Sequence, residues 1–167
     1  MAMLREELAH LPLFEGLSSE QLEQFAALLD ICYLTKGTRV FEQGDTAEYL
    51  YILLEGEVLI RYKPYDGDEL TVARVVPGGV FGWSAALGRS AYTASTVVVQ
   101  DGRAYRLRAE KLQKLCGQCP ETGVILLKKL TEVISRRVQV THEQVFGILS
   151  QGMDSSGDCK REFEDGN

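Results

Sequence analysis

Residues 31–107 consist of short runs of β-branched and aromatic residues, separated at close intervals by glycine, proline and aspartate. Runs of this length and composition are typical of β-strands, and the residues between them are typical of turns. Asp66-Gly67 is the strongest hairpin signal in the region, because this dipeptide suits the positive φ angles of a tight hairpin turn. Many short strands at this spacing predict a mainly-β jelly-roll barrel, also called a double-stranded β-helix.

The predicted strands are bounded by turns. Gly37, Gly44 and Gly56 are expected in turns, where glycine adopts positive φ without steric cost. Residues 55–57 are predicted to be a tight turn that reverses the chain, and residues 100–102 a further turn. The strands between the turns are predicted at residues 39–41, 49–54, 58–62, 70–75, 93–99 and 104–107.

Helical patterns lie on both sides of the β region in the sequence. Residues 4–11 are weakly helical, and Ser18 or Ser19 caps a second helix that continues to about residue 29. Residues 109–115 form a short helix after the last predicted strand. We therefore expect helices packed against the barrel at both of its chain ends.

A long helix is predicted from residue 120 to about residue 150. Pro120 stands in its first turn, where the missing amide hydrogen has no cost. Apolar residues lie on two edges of this helix, so it either pairs with a second copy of the chain or is buried twice within one chain. Pairing into a homodimer is the favoured interpretation. The edges are formed by Leu127, Leu130, Ile134, Val138, Val145, Ile148 and Leu149, and by Val124, Leu126, Val133 and Val140.

The fold class predicted from these elements is α+β: a mainly-β jelly-roll barrel flanked by N-terminal helices and a long C-terminal helix. The barrel covers about residues 31–107 and the dimerisation helix about residues 120–150, within one domain of residues 1–152. Residues 153–167 are rich in Asp, Glu, Ser and Gly and are predicted to be a disordered acidic tail.

The composition argues against several classes of function. The 167 residues carry a formal net charge of −6, whereas a nucleic-acid-binding surface needs clustered Lys and Arg. No apolar run approaches the roughly 20 residues of a membrane span. The first residues lack the apolar core of a signal peptide. We therefore expect a cytoplasmic protein that does not contact a membrane.

Cys116 and Cys119 have the CxxC spacing of redox and zinc sites. A zinc site needs a second pair of ligands, and a redox pair needs a helix N-terminus that stabilises the thiolate, whereas this pair follows a helical pattern. Two reduced thiols at a helix end are favoured, with redox or metal chemistry as the alternative. No nucleophile, base and acid are arranged for catalysis, so we expect no enzyme.

Residues 80–95 hold the strongest candidate for a binding site. A glycine-rich turn leads to Phe81-Gly82, and small residues then form a short predicted helix that Gly88 ends. The first turn of a helix leaves backbone N–H groups unpaired, and such groups bind anions. Glycine at position 82 is expected because a Cβ atom there would keep a ligand away from the backbone.

This stretch resembles the phosphate-binding cassette of the cyclic nucleotide-binding domain family, where Phe-Gly-Glu is followed by Arg-(Ala/Ser)-Ala-(Thr/Ser). In that family the Glu accepts the ribose 2′-OH and the Arg pairs with the cyclic phosphate. Phe81 and Gly82 match the family, while Trp83 occupies the Glu position and Tyr92 the Arg position. The resemblance covers about residues 10–150 and implies a cassette in which both charged ligand contacts are replaced.

The family's cassette pattern can also be aligned with this sequence in a second register. Arg89-Ser90-Ala91 is similar to the family's Arg-Ser-Ala, and Arg89 would be the phosphate clamp if the loop were shorter than usual. In the favoured register, with Tyr92 at the Arg position, Arg89 is a cation near the site. Trp83 is either a plug that fills the pocket or a platform on which a flat ligand stacks. The candidate ligand-binding residues are Phe81, Gly82, Trp83, Ser84, Ala85, Arg89, Tyr92, Thr93 and Ala94.

The long helix carries a second resemblance to the same family. In members that dimerise through this helix, a Thr-Ser pair contacts the purine base; here Thr141 matches the Thr and His142 replaces the Ser. The resemblance therefore implies a base contact from this pair. Only a polar tail follows the helix, so we expect no DNA-binding domain and no direct contact with DNA.

Two functions are consistent with this sequence, and a third is less favoured. The first is a regulatory or sensory domain that binds a cyclic nucleotide (cAMP or cGMP) or another small anionic or aromatic ligand, and signals through a homodimer helix. The second is a domain of the same fold that binds no ligand and serves as a dimerisation or protein-interaction module. The third is a fragment of a transcription regulator of the catabolite activator type.

Overall fold

The structure of the chain is a computed structural model that describes residues 2–135. The chain divides into two compact units, Met1–Val133 and Ile134–Asn167, and the fold given below is that of the first unit. The predicted continuation of the long helix, the predicted tail, Thr141 and His142 lie outside the described residues.

The described chain contains an antiparallel sheet and several helices. The first helices are α1 (Ala2–Ala9) and α2 (Ser19–Ala26), with a 3-10 turn at Pro12–Phe14 between them. The strands are β1 (Leu29–Leu34), β2 (Tyr49–Tyr62), β3 (Leu70–Val75), β4 (Val80–Phe81) and β5 (Ser95–Arg108). Helix α3 (Ala109–Gln118) follows β5 directly, and residues 120–135 form helix α4. The predicted combination of antiparallel strands and helices is confirmed.

The sheet has the strand order β1-β5-β2-β3, and the short strand β4 also pairs with β2. Tyr51 of β2 lies opposite Arg106 of β5 and opposite Phe81 of β4. Two residues earlier in β2, Tyr49 lies opposite Arg108. The beginning of β2 is therefore the place where β4, β5 and the segment after β4 meet.

The predicted turns at residues 55–57 and 100–102 are wrong, because β2 and β5 run through them as strands of 14 residues each. The pairing of these strands shifts register at three places around Gly56. Gly56 has a φ of 92°, and a Cβ atom on Gly102 would lie 1.9 Å from the carbonyl oxygen of Glu55. Glycine here lets two long strands bend while they pass at close range, and the chain does not reverse.

Of two further predictions, the hairpin at residues 66–67 and the strand at residues 39–41, only the first is confirmed. The hairpin at Asp66-Gly67 is confirmed, because β2 and β3 pair antiparallel on either side of it. The strand predicted at residues 39–41 is reduced to one isolated bridge, between Arg39 and Val97. This segment makes too few ladder hydrogen bonds to be a strand.

The predicted cap of α2 is confirmed as a capping box. The Oγ of Ser18 accepts a hydrogen bond from the amide of Gln21 at 3.2 Å, and the amide of Ser18 donates to the Oε1 of Gln21 at 3.0 Å. The helix ends at Ala26, earlier than predicted, because β1 already begins at Leu29. Phe25 of this helix is fully buried.

Four aromatic rings form the centre of the core beneath the candidate site. The rings of Phe41 and Tyr92 are stacked with centroids 3.7 Å apart, and those of Tyr51 and Phe81 with centroids 4.9 Å apart. All four side chains are buried. Both ends of the segment that joins β4 to β5 are therefore anchored in one aromatic cluster.

Helix α4 buries one edge and exposes another. Leu126 and Leu130 are buried, whereas Val124 is 64% exposed and Leu127 is 40% exposed. An exposed apolar edge is part of what the two-edged sequence pattern predicts. Within residues 2–135, the structure has no helix that combines the length and the apolar character needed to cross a membrane.

Candidate ligand-binding site

Residues 82–89 form a series of turns between β4 and β5. The amide of Leu87 donates to the carbonyl of Trp83 at 3.1 Å, which is a hydrogen bond of the α-helical type. The amide of Arg89 then reaches back five residues, to the carbonyl of Ser84 at 3.0 Å. The short helix predicted here is wrong, because the α-helical hydrogen bond is not repeated and the other main-chain hydrogen bonds span three or five residues, as in successive turns.

Four amides of this turn donate no hydrogen bond to any part of the chain that the structure describes. They belong to Gly82, at the start of the turn, and to Trp83, Ser84 and Ala86. Arg89, at the end of the same turn, is exposed and forms no ion pair with any residue between 2 and 135. Unpaired amides next to a free guanidinium are chemically suited to an anion.

Gly82 is held against the backbone of β2. Its φ is 71°, and a Cβ atom on it would lie 2.8 Å from the carbonyl oxygen of Tyr49, 3.1 Å from a ring carbon of Tyr51 and 3.3 Å from a ring carbon of Phe41. Glycine is therefore required at this position by the fit of the turn on its own core. This reason differs from the expected one, which was the approach of a ligand.

Tyr92 is a buried brace between the end of the cassette and β2. Its hydroxyl donates to the carbonyl oxygen of Tyr49 at 2.7 Å and accepts from the amide of Tyr49 at 3.0 Å. Burial raises the pKa of Tyr92, an effect that interactions with the backbone of Tyr49 and of Glu48 partly oppose. The phenol is neutral, and its one donor is already used within the chain.

The other candidate residues differ widely in exposure. Trp83 and Ala94 are half-buried, and Thr93 is exposed. Phe81, Ser84 and Ala85 are buried. The side chains that a ligand at this turn could reach are therefore those of Trp83, Arg89 and Thr93.

Residues 90–92 are fixed to an earlier loop by main-chain hydrogen bonds. The amide of Tyr92 donates to the carbonyl of Asp45 at 2.9 Å, and the amide of Gly44 donates to the carbonyl of Tyr92 at 2.9 Å. The amide of Ala47 donates to the carbonyl of Ser90 at 3.1 Å. The glycine turn before β2 thus positions the far end of the cassette.

Two arginines next to the cassette are missing from the sequence-based set of site residues. Arg106 and Arg108 place their guanidinium carbons 4.8 Å and 5.5 Å from the centre of the Tyr49 ring. In the sequence they alternate with the buried residues Tyr105 and Leu107, which puts both arginines on the opposite face of β5. That alternation was the signal that could have identified them.

The cysteine pair lies at the end of α3, which extends three residues beyond its predicted end at residue 115, so that Cys116 is inside the helix. Cys116 is in the last part of α3, and Cys119 is the residue that ends it. Both thiols are free, as is that of Cys32. Within residues 2–135, no group of three or more His, Cys, Asp or Glu side chains is placed to hold a metal ion.

Curated relatives of this chain include a cyclic AMP receptor protein and a nitrogen regulator. The cyclic AMP receptor protein of Thermus thermophilus is 28% identical over 128 residues, which cover 77% of this chain and 57% of that protein. The global nitrogen regulator of Synechococcus elongatus is 30% identical over 134 residues, which cover 79% of this chain and 58% of that protein. The chain thus spans less than two thirds of the length of these relatives.

Solved structures with the same fold include a cyclic nucleotide-binding protein from Geobacter metallireducens, with 26% identity and a TM-score of 0.72 over 80% of this chain and 97% of that one. A cyclic nucleotide-binding domain from Methylobacillus flagellatus has 20% identity and a TM-score of 0.78, over 86% of this chain and 83% of that one. The second likeness concerns the fold alone.

The family described as the cyclic nucleotide-binding domain matches residues 31–119, which include the whole cassette and all five strands except the first two residues of β1. The match extends over more than half of the 167 residues. This chain belongs to the cyclic nucleotide-binding domain family.

Proposed function

We propose that this chain is a regulatory domain that binds a small anionic ligand at the turn of residues 82–89 and signals through its C-terminal helix. One observation carries the proposal: the turn of residues 82–89 and Tyr92, which follows it, are both attached to Tyr49 of β2. Gly82 packs on the carbonyl of Tyr49, and Tyr92 makes hydrogen bonds to the same residue. A turn attached in this way holds its unpaired amides in fixed positions.

An ordinary cyclic nucleotide is expected to bind weakly to this site. Tyr92 brings no charge to the Arg position, and the indole of Trp83 can donate but cannot accept the proton of a ribose hydroxyl. Each charge-assisted hydrogen bond that is missing costs about 1.5–3 kcal/mol. We therefore expect cAMP and cGMP to bind about a hundredfold more weakly, or worse, than to a cassette with both charged residues.

The side chains around the turn favour a ligand that is anionic and flat. The guanidinium of Arg89 is exposed and has no ionic partner within residues 2–135. Half-buried Trp83 offers an aromatic face for stacking. The proposal includes both alignments of the cassette with the family pattern. In one, Arg89 binds the phosphate directly; in the other, Tyr92 occupies the family's Arg position and Arg89 is a nearby cation that attracts the anion.

Signalling is proposed to pass from a jelly-roll barrel to a homodimer helix at residues 120–150. Val124 and Leu127 expose an apolar edge of α4 that a second copy could cover. A ligand that binds better to one packing of this helix shifts the population towards that packing. In this proposal Thr141 and His142 contact the ligand's base, the domain acts in the cytoplasm, and its output is a protein contact rather than a DNA contact.

Isothermal titration calorimetry with cAMP, cGMP and a cyclic dinucleotide tests the proposal. Trp83 is the single tryptophan of the chain, so its fluorescence reports on the turn directly. We expect weak binding of at least one of these ligands, with a change in Trp83 emission. The absence of both signals at millimolar ligand would rule out a cyclic nucleotide, and survival of binding in Arg89→Ala would exclude Arg89 as the clamp.

A domain that binds no ligand is the second candidate. It is favoured by the contacts of Tyr92, whose ring stacks on Phe41 and whose hydroxyl bonds to Tyr49. In the register that puts Tyr92 at the family's Arg position, that position is used for folding and not for a ligand. Such a domain would remain a dimer or a protein-binding module. Sedimentation that shows a stable dimer, together with silent calorimetry, would favour this second function.

A further inference from the structure

Arg106 and Arg108 form a pair of cations beside the cassette that has no anionic partner in the structure. Both guanidinium groups lie over the ring of Tyr49, at 4.8 Å and 5.5 Å. Neither group makes a hydrogen bond or an ion pair with any residue in the described range. The Nε atom of Arg106 is buried and has no hydrogen-bond partner within residues 2–135. A buried donor without an acceptor is costly and calls for an explanation.

The missing partners are not due to a shortage of carboxylates. The chain has 24 acidic and 18 basic residues, and five other arginines each form an ion pair: Arg5, Arg39, Arg61, Arg74 and Arg103. Asp30 lies opposite Arg106 across the β1–β5 ladder. Glu48 and Glu110 line a cleft of about 300 Å³ together with Arg108. None of these three carboxylates forms an ion pair with either arginine.

The pair is tied to the same residue as the cassette. The ring of Tyr49 contacts the two guanidinium groups. Its carbonyl and amide make hydrogen bonds to the hydroxyl of Tyr92, and the same carbonyl leaves no room for a side chain at Gly82. Cation–π contact with one ring keeps two like charges side by side. An anion bound between them would relieve their repulsion and supply the acceptor that the Nε of Arg106 lacks.

We propose that Arg106 and Arg108 bind the anionic group of the ligand, in place of the arginine that the cassette lacks. This inference rests on the proposed function, because it names the residues and the ligand class of the same site. Two guanidinium groups suit a phosphate, and especially a ligand with more than one negative charge, such as an organic diphosphate. In the family the positive charge comes from an arginine on the cassette loop; in this proposal it comes from Arg106 and Arg108 of strand β5.

Inorganic pyrophosphate is the first probe, because it carries the proposed charge and no nucleoside. Calorimetry would compare the full chain with Arg106→Gln, Arg108→Gln and the double variant. Arg74→Gln is the matched control, since Arg74 pairs with Glu57 and is mostly exposed. We expect the dissociation constant to rise about tenfold in each single variant and about a hundredfold in the double variant, with the control unchanged. Failure of pyrophosphate to bind, or equal binding by the double variant, would overturn the inference.

A thermal-shift measurement separates a binding role from a structural one. Removal of two adjacent like charges should leave the melting temperature of the ligand-free double variant unchanged or higher, and should abolish the increase that pyrophosphate gives. A large fall in melting temperature without ligand would instead mark the pair as structural and would contradict the inference.

The outcome with cAMP distinguishes this inference from the proposed function. Equal binding of cAMP by the unmodified chain and the double variant would overturn the inference and leave the proposed sensor in place. Pyrophosphate binding that depends on both arginines, with no response to any cyclic nucleotide, would support the inference and remove cyclic nucleotides from the proposed function.

Discussion

The hydroxyl of Tyr92 makes hydrogen bonds to both main-chain groups of Tyr49, at 2.7 Å to the carbonyl oxygen and 3.0 Å to the amide. The ring of Tyr92 lies flat on Phe41, with centroids 3.7 Å apart. The side chain at position 92 thus contributes to the stability of the fold. In the proposed register, where Tyr92 stands at the family's Arg position, a ligand obtains its cationic contact from another residue.

Tyr92→Phe tests the contribution of this brace. The substitution keeps the ring stacked on Phe41 but removes both hydrogen bonds of the hydroxyl. Since it leaves part-buried main-chain groups of Tyr49 without these partners, we expect the free energy of unfolding to fall by about 1–3 kcal/mol. Urea denaturation measures the change. Tyr65→Phe is the control, because Tyr65 is 100% exposed and its substitution should have no effect; equal stability of both variants would contradict the role given to Tyr92.

Gly82→Ala and Gly88→Ala separate backbone strain from packing. The two glycines have nearly the same φ, 71° and 72°. An added Cβ atom at Gly88 meets nothing within 4 Å, whereas at Gly82 it meets the carbonyl of Tyr49 at 2.8 Å. Gly88→Ala should lose only the roughly 1–2 kcal/mol of a left-handed residue.

We expect Gly82→Ala to lose clearly more free energy of unfolding, because strain and collision add at that position. Urea denaturation of both variants under the same conditions gives the difference. Equal losses would mean that the contact of the turn with β2 does not decide the residue at position 82.

Local signals in the sequence predict much of this fold. The Ser18 cap, the Asp66-Gly67 hairpin and the cassette position of Gly82 all depend on residues within a few positions of each other. The errors at Gly56 and Gly102 have a different origin. Glycine is favoured both in a tight turn and where two strands pass closely, and only the contact between residues far apart in the chain decides which occurs.

The site was less accessible to sequence reasoning than the fold. The pattern around residue 92 led us to predict that Tyr92 occupies the family's Arg position, but its partners Phe41 and Tyr49 come from another part of the chain. The alternation of Arg106 and Arg108 in β5 is visible in the sequence. That both face Tyr49 depends on the register of β5 with β2, which no local pattern specifies.

Stability is predicted to fall at alkaline pH. Burial raises the pKa of Tyr51 and of Tyr92 above the usual value of 10.0. In the unfolded chain both phenols lose their protons near that value, while in the folded chain they keep them to higher pH. Above this value the folded state binds more protons than the unfolded state, so the free energy of unfolding decreases as the pH rises.

Urea denaturation at neutral pH and at several values above the tyrosine pKa measures this slope. The stability contributed by the two buried phenols is fully present below the tyrosine pKa of the unfolded chain, and it is lost as the pH rises above that value. Tyr92→Phe should reduce the slope, because one of the raised groups is removed, and Tyr65→Phe should not. A slope unaffected by Tyr92→Phe would assign the alkaline loss to other groups.

The proposed dimer helix is tested best at its exposed edge. Leu127 is 40% exposed on α4, whereas Leu130 is 1% exposed and belongs to the core of the chain itself. Leu127→Glu should therefore convert a dimer into monomers, with the melting temperature of the monomer retained. Leu130→Glu should unfold the domain, since a buried carboxylate without a partner is strongly destabilising. Sedimentation velocity gives the oligomeric state and circular dichroism the folded state. A folded dimer in Leu127→Glu would place the contact between copies elsewhere, and the signal from the cassette could then not pass through this edge of α4.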